Sequence, residues 1–409
     1  MLLNSKLSKL HDITALSVRL LQRRFPDFVY GGRLSGIPVF GFHEVEPNRF
    51  ERQLKFLRDN GYRTLTMEEY YERVCTGRAD GSERAVLLTF DDGWSSLWSI
   101  GLPLLKRYGA KVVLFLAAGR IHAGGLGPTL DDMEAARAPL SALLERDASQ
   151  RPFLTWAEVR GVHESGLVDV QSHSVTHSHV FCSPDVEDFV RPGLLRCLPV
   201  TRLPEWTPDA NGRVALGRPL YRSAPRMSEC RRYVEDPQLR DTCERYVAQR
   251  GGAVFFERRT WRLELDAVTA DYRRSQGERG RYETDAEREA ALWRELHESK
   301  QMIERELAGK TVRHFCYPWD VGSELAIALS VKAGYVTNVV VQTPTREMGV
   351  TLGSPARISR FGEDWIFTLP GRGRRSFVDP VAVKLARWAK LPLKDGARAR
   401  GLWTAGARP

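Results

Sequence analysis

Two short constellations in this 409-residue chain hold residue types that together support metal-assisted hydrolysis. The first is Thr89-Phe90-Asp91-Asp92-Gly93. Adjacent side chains of an extended segment point to opposite sides, so one carboxylate can ligate an ion while the other faces a water beside it. Taken alone, the same residues also describe an Asp-Asp-Gly turn in which one Asp caps the following helix. The second constellation is His173-Ser174-Val175-Thr176-His177, whose imidazoles meet on one face if the segment makes a helical turn. A His pair by itself is weak evidence. Jointly, two His and one Asp leave positions open for water and substrate, and Asp91 is the adjacent base that could take a proton from that water. Zinc is the default ion for so nitrogen-rich a set, although imidazole and carboxylate suit other first-row divalent ions.

The elements around these residues read as strands alternating with helices. Asp91 follows the apolar run Ala85–Phe90, and His173 follows Val168–Gln171. Both sit where parallel strands end, the edge at which barrels and open α/β sheets build their sites. Further strands are predicted over 37–42, 111–116, 312–317 and 335–341, with helices over 50–60, 95–108, 295–307 and 324–333. This alternation argues for a parallel α/β sheet or barrel. Residues 182–292, rich in Arg, Pro and aromatics, break the rhythm. They read as an insertion rather than a second core: a lid, a recognition element or a surface decoration. The expected organisation is an amphipathic segment over 1–36, a barrel over 37–368 interrupted by that insertion, and a basic tail over 369–409.

Composition narrows the class. Hydrophobic residues make up 42% of the chain, ample for a core without staples. Six cysteines (Cys75, Cys182, Cys197, Cys230, Cys243, Cys316) form no CxxC pair, so reduced thiols are expected rather than a zinc ribbon or a secreted disulfide framework. No leader-like run and no stretch of ~20 apolar residues is seen, so a cytoplasmic location is expected. The net charge is +10, but residues 371–409 hold ten Lys/Arg against Asp379 and Asp395. The rest is then near neutral, and no nucleic-acid partner is expected. In the tail Val381, Leu385 and Trp388 share one helical face, and Lys384, Arg387 and Lys390 another. Such a helix suits peripheral contact with the anionic inner face of a membrane, or docks on the barrel with its basic face solvated.

Residues 89–93 and the His-Ser/Thr-x-x-His pattern at 173–177 resemble the polysaccharide deacetylase family, the NodB-homology or family-4 carbohydrate esterases. The resemblance implies a distorted (β/α)7 barrel, Asp91 as base, and Asp92, His173 and His177 as metal ligands. It implies hydrolysis of an N-acyl group, in the first place N-acetyl, on an amino sugar or glycan intermediate. Pro38–His43 and the Asn60-Gly-Tyr62 stretch resemble a permuted subgroup, the poly-N-acetylglucosamine deacetylases. In that subgroup a first-strand His replaces the C-terminal general acid, which here implies His43; no His follows His314. Phe315–Asp320 looks like the family's third motif, a groove wall whose backbone N–H helps stabilise an oxyanion. That makes Tyr317, Trp319 and Asp320 substrate or oxyanion candidates. Asp320 stands where the subgroup has Gly, a place from which it would disfavour acidic substrates or hold a cationic sugar. Arg357 is carried over as the residue orienting Asp91. The resemblance covers 37–181 and 293–368 and implies a carbohydrate partner, lipid-linked if the membrane reading holds. Rival readings are a deformylase or other C–N amide hydrolase on the same barrel, and a non-catalytic glycan-binding relative.

Overall fold

The computed structural model describes residues 16–74, 83–149, 152–194, 215–340, 350–351 and 356–389. In chain order the strands are β1 (Val39–Phe42), β2 (Arg63–Thr64), β3 (Ala85–Asp92), β4 (Val112–Leu116), β5 (Val168–Ser172), β6 (His179–Phe189), β7 (Pro219–Pro225), β8 (Tyr233–Val234), β9 (Arg281–Tyr282), β10 (His314–Cys316), β11 (Thr337–Val339), β12 (Val350–Thr351), β13 (Ala356–Ile358) and β14 (Phe361–Gly362). They fall in two compact units.

The first unit comprises residues 1–176, 294–320 and 327–409. Its sheet runs β12-β13-β11-β10-β5-β4-β3-β1-β14, with β2 beside β3. Every pairing is parallel except β12 with β13, which makes an α/β half-barrel of the expected class. All eight residues of β3 are buried, as are all five of β4. That explains their unbroken apolar runs: a strand covered on both faces has no polar side to alternate with. One core cluster joins Val39, Leu87, Val113, Phe115, Cys316, Val339 and Ile358 across six strands.

The helices follow local signals. Pro47–Asp59 begins with Pro at its first position, and the Glu46 carboxylate accepts the Arg49 N–H at 2.8 Å. Trp156–Glu164 opens on a capping box between Thr155 and Glu158. Helix Asp285–Glu306 starts ten residues before the expected 295. Of the amphipathic segment expected over 1–36, residues 16–21 are helical, and residues 1–15 lie outside the described residues. The tail helix is Val378–Trp388; the Arg387 and Trp388 side chains, Lys390 and all that follows lie outside them. Among the described residues no helix is long and apolar enough to cross a membrane.

The second unit comprises residues 177–293 and 321–326. Strands β6 and β7 form an antiparallel ribbon with two register shifts, and β8 pairs with β9. Where the sequence reading had no second core, two apolar clusters lie here. One gathers Phe181, Val190, Leu220, Tyr221 and Tyr233, the other Phe189, Leu239, Cys243, Val247, Phe255 and Leu265. The register shifts break the period of two by which a strand is read from sequence, so the ribbon looked structureless. Cys182, Cys230, Cys243 and Cys316 are free thiols; Cys75 and Cys197 lie outside the described residues.

Candidate active site

Four of five successive parallel strands deliver the chemistry-bearing residues at their C-terminal ends. His43 follows β1, Asp91 and Asp92 close β3, His173 follows β5 and Cys316 ends β10. Asp91 and Asp92 are both buried yet have different neighbours.

Asp91 is gripped by Arg360. The guanidinium Nη1 donates to Asp91 Oδ1 at 2.8 Å, Nη2 donates to Oδ2, and Nη1 also reaches Thr89 Oγ1 at 3.2 Å. Burial opposes ionisation of Asp91. The charge of Arg360, its hydrogen bonds and the nearby His173 and His43 rings outweigh it and hold the carboxyl well below its usual range. Arg360 directly precedes β14, and β14 lies next to β1 with Phe361 opposite Phe40. Its side chain passes over Gly41, where a Cβ would stand 3.1 Å from Arg360 Cδ; a glycine there keeps the path open. His43 is 64% exposed, with Nε2 4.0 Å from Asp91 Oδ2.

Asp92 turns elsewhere. The Trp94 indole N–H donates to Oδ2 at 2.9 Å, while Oδ1 lies 3.6 Å from His173 Nε2. His173 Nδ1 is 2.7 Å from the Cys316 carbonyl, an acceptor, so Nδ1 carries the proton and Nε2 is left as a ligand atom. One donor atom each from Asp92, His173 and His177 falls within 4.8 Å of the others. Two ligands of one tetrahedral zinc, each bound at ~2.0–2.1 Å, are ~3.4 Å apart. The 3.6 Å between Asp92 Oδ1 and His173 Nε2 therefore fits a shared ion. A second group, Asp91, His173 and Cys316, meets the same distance criterion. Arg360 already occupies both Asp91 oxygens, and burial drives the Cys316 thiol pKa far up, so this group suits a cation poorly.

Residues 173–177 are not the helical turn expected. Ser174 and His177 adopt positive φ, 72° and 54°, and this doubling back brings the two imidazoles together. Five of the seven positive-φ non-glycine residues described belong to these strand ends: Asp92, Ser174, His177, Trp319 and Asp320. Each such conformation costs about 1–3 kcal/mol and persists where the surroundings impose it.

Several sequence expectations need correction here. Arg357 does not orient Asp91: it lies on β13 with its side chain exposed, and Arg360, three residues on, has that place. Tyr317 is fully buried; its N–H donates to the Val339 carbonyl at 3.1 Å and its hydroxyl accepts from Asn338. The Asp320 N–H is likewise spent, on the Tyr317 carbonyl at 3.0 Å. Neither backbone group is left for an oxyanion. The Asp320 carboxylate accepts from Arg360 Nη2 at 3.2 Å, and Trp319 is half-buried beside it. Arg360 escaped the sequence reading because the only sign of it is an Arg just before a two-residue strand. Trp94, two residues after Asp92, was within reach.

Residues 78–192, which contain both Asp and both His, match the polysaccharide deacetylase family. The chain is 35% identical over 88 residues to YxkH of Bacillus subtilis (strain 168), a protein named as a polysaccharide deacetylase, covering 20% of this chain and 31% of that one. It is 28% identical over 134 residues to the poly-beta-1,6-N-acetyl-D-glucosamine N-deacetylase of Escherichia coli (strain K12), covering 32% of this chain and 18% of that one. The chain thus spans about a third or less of the curated relatives it matches. Among solved structures, a de-N-acetylase from Aggregatibacter actinomycetemcomitans aligns over 80% of this chain and 94% of its own, at 17% identity and a TM-score of 0.45.

Proposed function

We propose that this chain, which carries a polysaccharide deacetylase domain, removes the N-acetyl group from an amino sugar in a glycan. The observation that carries the reading is the division of labour between neighbouring carboxylates. Asp91 is held ionised by Arg360, while Asp92 faces two imidazoles across a gap that fits one ion. A divalent ion there, zinc in the first instance, would polarise the amide carbonyl and make a neighbouring water more acidic. Asp91 takes the proton of the attacking water as its oxygen bonds to the carbonyl carbon. His43, solvent-facing and 4.0 Å from Asp91, gives a proton to the amine nitrogen as the C–N bond breaks, and acetate and a free amine leave. The Cys316 carbonyl fixes the tautomer of His173 throughout. The test is acetate release from N-acetylglucosamine oligomers by the wild type and by Asp91→Asn. Release by the first and not the second supports the reading; equal release sinks Asp91 as the base.

Membrane contact is a second element of the proposal. The helical residues 16–21 expose Val18 and Leu21 next to exposed Arg23 and Arg24, and helix Val378–Trp388 exposes Val378, Leu385 and Lys384. The two stretches meet through Tyr30, whose ring lies 5.8 Å from Phe377 and whose hydroxyl donates to the Leu20 carbonyl. Apolar tips among cations suit an anionic bilayer surface, from which a lipid-linked glycan intermediate would be within reach. Co-sedimentation with anionic vesicles that fails at every salt concentration removes this element and leaves the chemistry standing.

A further inference from the structure

The loop bearing both histidines is held from three sides by groups outside the Asp92, His173 and His177 set. From helix Asp285–Glu306, the Glu295 carboxylate accepts the backbone N–H of Val175 and of Thr176, each at 2.9 Å, and the Thr176 hydroxyl at 2.7 Å. One turn on, the Ser299 hydroxyl lies 2.7 Å from Ser172 Oγ and donates to the Ser174 carbonyl at 3.0 Å. From the turn after β4, the Ala118 and Gly119 N–H groups donate to the Ser174 and Val175 carbonyls at 3.1 and 2.9 Å. Arg120 Nε donates to the Thr176 carbonyl at 3.0 Å. A Cβ on Gly119 would stand 2.7 Å from the Val175 carbonyl oxygen, so only glycine lets this turn approach so closely.

The arrangement is costly and specific. Glu295 is buried and accepts three hydrogen bonds from the loop, and two successive N–H groups after the left-handed Ser174 form a concavity of the kind that holds anions. Both of its oxygens are used on the loop. Arg120 is half-buried within electrostatic reach of Asp92 and of Glu295. These contacts fall on the backbone between Ser174 and His177, both in conformations that L residues avoid.

We propose that Glu295, assisted by Arg120 and Ser299, is a positioning residue that shapes the histidine loop before any ion arrives and thereby sets the metal affinity of the site. The proposal rests on the metal-site reading above. Outer partners that orient ligands typically govern metal affinity about 10–100-fold, and here the effect is exerted through the backbone between the two ligands.

Full-length wild type, Glu295→Ala and Glu295→Gln would be stripped of metal. Each would then be titrated with Zn(II) and Co(II) against a chromophoric chelator, with Co(II) visible spectra and thermal unfolding of the metal-free proteins in parallel. Glu295→Ala is expected to bind metal about 10–100-fold more weakly, with an altered Co(II) spectrum. Glu295→Gln should fall in between, because its amide keeps one acceptor oxygen. A folded Glu295→Ala whose metal affinity and Co(II) spectrum match the wild type would overturn the proposal. Should Glu295→Ala not fold, Thr176→Val, which removes only the hydroxyl bond, should still lose a few-fold in affinity; no loss would overturn it equally. A wild type that binds neither ion takes down the functional reading as well. A wild type that binds, matched by its variants, takes down the positioning role alone.

Discussion

Each unit of this chain buries an arginine forked onto a carboxylate, and the two forks have different surroundings. In the second unit Arg226 Nη1 and Nη2 donate to the two Glu283 oxygens at 2.9 Å each, and Glu283 also accepts the Arg232 N–H at 2.8 Å. Both side chains are nearly inaccessible, at 3% and 4%. The Cys230 thiol is within electrostatic reach of both, its pKa pushed up chiefly by burial, and the fork fastens the loop ahead of β8 to the segment between β9 and helix Asp285–Glu306. In the first unit Arg360 and Asp91 are as buried, yet His43 at 64% exposure and Asp320 at 41% stand over them, and Asp92 with its imidazoles lies next door. The same fork becomes a means of keeping one carboxylate ionised beneath solvent-exposed side chains at the strand ends. Burial of an ion pair is thus no mark of function by itself; what decides is whether solvent and a second set of donors reach it.

That contrast can be broken by substitution. The largest expected effect is on turnover: Asp91→Asn should lower acetate release about 10²–10⁴-fold while retaining bound metal, measured by steady-state kinetics beside elemental analysis. Glu283→Gln should leave turnover per folded molecule unchanged. Next in size, Arg226→Met strands a buried carboxylate and should cost about 3–5 kcal/mol of stability, read from denaturant unfolding. If Arg226→Met changed turnover and not stability, the separation of roles between the forks would be wrong. His43→Ala should slow amide hydrolysis about 10²-fold and spare an ester with a good leaving group, since only a poor leaving amine needs the proton. Smallest is Arg222→Ala in the second unit: its partners Asp185 and Glu187 are exposed, and less than about 1 kcal/mol should change.

The same two regions differ in how far they could be read from sequence. The barrel strands were legible because β3 and β4, buried on both faces, are continuous apolar runs, and because the paired Asp and paired His follow such runs directly. Arg360 was not, since a two-residue strand such as β14 leaves no periodic trace and Arg357 offered a nearer match. The route by which the histidines converge was missed for a similar reason: between the positive-φ residues Ser174 and His177 the backbone N–H groups are held by Glu295, over a hundred residues away, and no local pattern encodes it. The second unit stayed opaque because the β6–β7 ribbon is irregular in register. Its Arg-rich helices also hide the buried positions Leu239, Cys243, Val247 and Leu265 among paired charges.

The central claim is most directly tested by metal stoichiometry, measured by elemental analysis of the full chain and of His173→Ala/His177→Ala after loading with Zn(II) and removal of excess. The account predicts one ion per wild-type chain and none held by the double variant, with acetate release lost in parallel. Equal metal content in the two proteins, or none in either, would contradict it.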